Sequence, residues 1–184
     1  MFAAMAVAGL AAAPLALPVL SPEGYVRYAR ALGMGPATEE NLRVGPLPQH
    51  YADMFGWEEL AGRIARIYRG LSAEERARCL IYARNYGEAG ALERFARRYG
   101  LPRVVCPHNN YWLWGPGPIE PRPLAMIVLG GDLEDNQRAF EELEAQGTVG
   151  GTWSMPYERD QRIYVGLRPR IKLEEIWPGE KVFQ

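Results

Sequence analysis

The chain has 184 residues, a formal net charge of -1 and 48% hydrophobic residues. That length holds one globular domain with room for a terminal appendage, and the apolar content is enough to bury a core. The near-neutral balance gives no reason to expect a polyanion, so nucleic acid is excluded as the first choice of partner.

In chain order, the first feature is an apolar stretch. Phe2 to Leu20 carries no charged side chain, and a helix needs about 20 apolar residues to cross a hydrocarbon core. Residues 1–20 are therefore expected to form a transmembrane helix, with Pro14 and Pro18 as its weak points. A signal peptide is the competing reading, but a basic n-region and a clear small-residue cleavage site are both missing.

Ser21 then reads as an N-cap with Pro22 at the first helical position. Tyr25, Tyr28 and Leu32 fall on one face, and Arg27 and Arg30 lie beside the tyrosines. Such a helix suits the headgroup level of a bilayer. With the Gly/Pro-punctuated stretch that follows, residues 21–46 form an expected interfacial helix and linker, and 47–184 the main domain. On a lone anchor, Arg27 and Arg30 would place that domain in the cytoplasm.

From Trp57 the pattern is helical, with Leu60, Ile64, Ile67 and Leu71 on one face and Arg63, Arg66 and Arg69 largely outside it. Ser72 and Glu75 form a capping box, and CLIYA is a short buried strand. NYGEAG is expected as the turn and GEAGALERFARRYG, from Gly87, as a helix with Ala91, Phe95 and Tyr99 roughly in register and Gly100 as its stop. RVVCP and PLAMIVLGG are further strands, the second apolar enough to be central. A helix is expected over Asp135 to Gln146, then a strand at RIYVGLR and one helical turn at LEEIWP. Strands alternating with helices predict an α/β fold, a three-layer Rossmann-like sandwich with a mostly parallel sheet.

Cys79 and Cys106 sit in apolar strand surroundings and are expected as free buried thiols, a disulfide remaining open if the domain is extracytoplasmic. The histidines, His50 and His108, have neither metal-ligand spacing nor a nucleophile partner, so no metal, cofactor or catalytic triad is expected.

Open α/β sheets bind ligands at the carboxyl ends of their strands, which directs attention to the loops after the first two strands. Gly87 and Gly90 resemble a phosphate cradle, but the full dinucleotide fingerprint is missing and Glu88 would put a negative charge where a phosphate sits. Close turn and helix packing explains these glycines more simply. Asn85, Tyr86, Glu88, His108, Asn109, Asn110, Trp112 and Trp114 form a different set, in which amides and a carboxylate can bond hydroxyls and aromatic faces can stack on a sugar ring. These eight are the candidate substrate-binding residues. The plainer alternative has the tryptophans packing the domain against its linker or a membrane, with the asparagines capping turns.

The runs LPQHYADMFGWEEL, NYGEAGALERFARRYGLP, HNNYWLWGPG and MPYERDQRIYV with LEEIWP resemble, in that order, the C-terminal region of bacterial membrane glycosyltransferases of family 39, the dolichyl-phosphate-mannose protein mannosyltransferase type. The resemblance implies a polyprenyl-phosphate-linked sugar donor, an acceptor outside the cytoplasm and a multispan core that carries the catalytic acid. It also implies an extracytoplasmic domain, against the simple charge count. That core is not part of this sequence, and no catalytic residue carries over to any position. The chain is thus expected to be a C-terminal accessory domain or fragment of such an enzyme, aiding acceptor or glycan recognition. A self-standing, membrane-anchored module that binds carbohydrate or protein is the alternative.

Overall fold

Local chemistry sets most of the element boundaries. The computed structural model describes residues 2–35, 45–119, 122–154, 156 and 158–183. The chain divides into two compact units, Met1–Gly56 with Gly151–Arg159, and Trp57–Gly150 with Asp160–Gln184. Most of the linker expected after the interfacial helix, residues 36–44, lies outside the described residues.

In the first unit, helix α1 runs Phe2–Ala16 and α2 runs Pro22–Ala31. Ser21 caps α2 as its sequence predicts, its Oγ accepting the Gly24 N–H at 3.1 Å with Pro22 opening the helix. A short α3, Gln49–Ala52, brings Tyr51 against Tyr25, with ring centroids 5.4 Å apart. Leu47, Tyr25, Ala29, Tyr51 and Ala52 make a small core. Around Ser154, Arg159 Nε donates to the Ser154 carbonyl at 2.8 Å, the Gly151 N–H donates to Ser154 Oγ at 3.2 Å, and Ser154 Oγ donates to the Phe55 carbonyl at 3.3 Å.

The membrane span expected over residues 1–20 is not present as such. Helix α1 has 15 residues, about 22 Å at 1.5 Å per residue against a hydrocarbon thickness of roughly 30 Å. Among the described residues no helix is long and apolar enough to cross a membrane. Pro18 accounts for the early end, because proline disfavours helical geometry at the residue before it.

The second unit holds a five-stranded sheet in the order β2-β1-β3-β5-β4. Its strands are β1 Cys79–Tyr82, β2 Val104–Val105, β3 Ala125–Leu129, β4 Phe140–Val149 and β5 Gln161–Pro169. β1 pairs in parallel with β2 and β3, while β5 pairs antiparallel with β3 and β4. The fold is α/β, as expected, but the sheet is mixed and not mostly parallel.

Alternation along the strands sorts the core onto two faces. Ile81, Ile127, Leu129, Ile163 and Val165 face α4 (Trp57–Gly70) and α6 (Tyr86–Tyr99) through Leu60, Ile64, Ala89 and Leu92. Leu80, Val105, Met126, Val128 and Tyr164 form the other cluster with Leu173 and Trp177. Those last two come from α9, Leu173–Ile176, and the 3-10 turn after it, the turn that LEEIWP predicts. Short α5, Ala73–Ala77, carries the predicted capping box between Ser72 and Glu75. Cys79 and Cys106 are free and buried. Burial pushes the Cys79 thiol up to about 12 and the Cys106 thiol up to about 11, so both stay protonated and pack as small apolar groups.

The helix expected over Asp135 to Gln146 is corrected. Helix α8 covers only Leu133–Ala139, and Phe140–Val149 is the edge strand β4. Good helix formers were overridden by long-range pairing. Phe140 lies on Gly166 of β5, where an added Cβ would overlap its ring. Arg168 of β5 pairs with Glu141 at 2.7 Å and also with Glu142. Exposed glutamates along β4 also discourage pairing with another chain at this edge.

Candidate functional site

Parallel pairing of β1 with β2 puts the two expected loops at one end of the sheet. They touch: the Tyr86 N–H donates to His108 Nδ1 at 3.4 Å, and the two rings lie 5.2 Å apart.

The first loop is shorter than its sequence implies. Helix α6 begins at Tyr86, one residue before the expected Gly87, with Asn85 as its N-cap, so the turn expected over NYGEAG is confined to its start. Asn85 Oδ1 accepts the Glu88 N–H at 2.9 Å, and Asn85 Nδ2 donates to Glu88 Oε1 at 2.8 Å. The other carboxylate oxygen, Oε2, accepts the Arg84 N–H at 2.9 Å, and Gln161 Nε2 of β5 donates to Oε1. Glu88 is only 2% exposed. Burial pushes its pKa up, while the bonds from Gln161, Arg84 and Asn85 and the Arg84 charge pull it down. Both oxygens are committed, so Glu88 is a clamp joining α6 to β1 and β5 and offers a ligand little.

Gly87 packs against Trp57, whose ring would lie 3.1 Å from an added Cβ. Close packing, and no phosphate cradle, is the use of this glycine.

The second loop contains α7, Asn110–Trp114. His108 is buried; burial lowers its pKa, and with Nδ1 accepting from Tyr86 its proton sits on Nε2. That Nε2 is enclosed without an acceptor among the described residues. The C-terminal segment closes over this loop, with the Asn109 N–H donating to the Val182 carbonyl at 2.8 Å and the Val182 N–H to the Pro107 carbonyl at 3.2 Å. Asn109 has a φ of 51° and a ψ of -130°, outside the left-handed helical region.

The tryptophans divide. Trp112 Nε1 donates to the Trp177 carbonyl at 2.9 Å, and Trp177 Nε1 returns a bond to the Trp112 carbonyl at 3.1 Å. Lys181 lies over the Trp112 ring at 5.0 Å. Trp112 is thus a structural lock. Trp114 is 69% exposed and rests edge-on against Tyr111, whose hydroxyl donates to Glu93 at 2.8 Å. Tyr86, 57% exposed, and Asn110 also face solvent.

Some residues here were not in the candidate set. After β3, Gly130 and Gly131 take φ values of 65° and 88°, and the Arg84 side chain lies where their Cβ atoms would be. Asn136 Nδ2 braces this turn by donating to the Gly130 carbonyl at 3.1 Å. The GG pair after an apolar strand was the only sequence signal for it; Gln161 had none, because its place depends on the antiparallel register of β5 with β3.

The edge therefore offers open ring faces at Tyr86 and Trp114 with polar groups at Arg84 and Asn110. Its one buried carboxylate is fully bonded, and among the described residues no group of three or more His, Cys, Asp or Glu side chains is placed to hold a metal. Fold and edge together define an α/β domain with a five-stranded mixed sheet and an aromatic-polar rim. The chain matches no protein-family model, no curated protein and no solved structure.

Proposed function

We propose that this chain is a membrane-attached, extracytoplasmic accessory domain of a polyprenyl-phosphate-dependent glycosyltransferase, binding the acceptor or a glycan at the carboxyl edge of its sheet. The observation that carries the binding role is the Tyr86 to His108 contact, which joins the two loops so that Tyr86 and Trp114 are exposed on the same edge. Aromatic faces stack on the apolar faces of sugar rings, and amide and guanidinium donors bond their hydroxyls. Of the eight residues expected to contact sugar, this reading keeps Tyr86 and Asn110 with Trp114 as contacts. Asn85, Glu88, His108, Asn109 and Trp112 become the frame that holds them.

Attachment to a membrane is supported by α1. It has no charged residue and no buried one, with Phe2 83% and Leu10 76% exposed. A helix apolar on every side, with no single stripe, suits lipid or the apolar helices of a multispan core. The catalytic acid of the reaction is assigned to that core, and no residue of this chain is given a catalytic role.

The test is titration of the full chain in lipid nanodiscs with soluble oligosaccharides, read by tryptophan fluorescence. Saturable binding, weakened roughly tenfold or about 1.4 kcal/mol by Tyr86→Ala, is expected. The absence of saccharide binding across a glycan array would remove the proposal.

A further inference from the structure

We propose that the cleft between α4 and the β4–β5 ladder is a second site, which binds a small organic carboxylate with an apolar body. The cleft encloses about 400 Å³, and Arg63, Arg66, Ile67, Leu71, Glu144 and Val165 are among its lining residues. Small-molecule sites commonly run from roughly 300 to 1,000 Å³.

Arg63 and Arg66 both line this cleft. Arg63 Nη2 donates to the Gln146 carbonyl at 2.5 Å, but its Nε is enclosed and has no acceptor among the described residues. Neither Arg63 nor Arg66 forms an ion pair among those residues, although Glu144 shares the cleft. Withdrawing a guanidinium from water costs free energy that an opposite charge in the same place offsets. A ligand anion supplies that charge, and the exposed Arg66 guanidinium beside Arg63 has the two-pronged donor geometry that matches a carboxylate.

The apolar body follows from the spacing on α4. Arg63 and Ile67, four residues apart, are neighbours along α4, and Leu71 lies just past its last residue. A ligand with its carboxylate at Arg63 runs its hydrocarbon past Ile67 and Leu71, over Val165, which is buried in the sheet. From Arg63 to Gly70, the last residue of α4, the helix rises about 10 Å, room for a body of several carbons. Glu144 in the lining disfavours a second negative charge, which selects a monoanion over phosphate.

The site is tested on the full chain in nanodiscs with hexanoate, in parallel with 1-hexanol and inorganic phosphate, by following the backbone amide resonances of Ile67, Gln146 and Val165. Hexanoate is expected to shift these resonances saturably. Arg66→Gln, at an exposed position that should not disturb folding, weakens the binding about tenfold, and Glu144→Gln leaves it unchanged or tightens it. Arg63→Gln weakens it further, with its folding checked by circular dichroism. Failure of hexanoate to shift the resonances, an equal response to 1-hexanol or to phosphate, or unchanged affinity in Arg66→Gln would each overturn the proposal.

Discussion

Glu88 is the residue whose surroundings constrain it most. It is enclosed, and three nitrogen donors from Arg84, Asn85 and Gln161 converge on its two oxygens. Removing the carboxylate leaves those donors with nothing to bond, so Glu88→Ala is expected to cost about 2–4 kcal/mol of stability, read from urea unfolding. Its titration has a sign that can be checked. Burial raises its folded pKa above the usual 4.5, so the native state holds the proton more tightly than the unfolded chain. Its contribution is then fully present below that usual value and is lost as the pH rises through the raised folded pKa. Glu88→Gln, whatever its overall stability, should flatten this decline above the usual carboxylate value. An identical slope in the wild type and the variant would show that Glu88 keeps its ordinary pKa.

At the scale of elements, the contact between Phe140 and Gly166 decides how β4 sits on β5. A side chain at position 166 would overlap the ring, so Gly166→Ala is expected to destabilise by about 1–3 kcal/mol. The cost should shrink when Phe140→Ala is made in the same chain, which a double-mutant cycle measures. The same contact shows why β4 was hard to read from sequence. FEELEAQ has helical propensity and a solvated look, and only its partner strand, some twenty residues further on, makes it a strand. Elements set by neighbouring residues were legible: Ser21 before Pro22, Ser72 with Glu75, Gly100 after α6, and the apolar runs of β1 and β3. Parallel pairing of β1 with β2 was legible as well, since a helix separates them. The antiparallel half of the sheet was not, because nothing local in RIYVGLR states its direction.

For the whole molecule, the candidate edge was legible in place but less so in role. The two loops do meet, yet Glu88 and Trp112, which looked like ligand contacts, face inward as a clamp and a lock. Burial decides that difference, and single residue types do not reveal it. Arg84 and the Gly130–Gly131 turn enter the edge only because strand order brings β3 beside β1. The binding claim rests on Trp114 as an open platform and on Trp112 as a closed one. The chain has five tryptophans, each with an indole N–H that gives its own resonance. Titration of the full chain with a saccharide that binds should move the Trp114 indole signal and leave those of Trp112 and Trp177, which bond each other's carbonyls, in place. Saccharide binding with an unmoved Trp114 signal would contradict this assignment of the site.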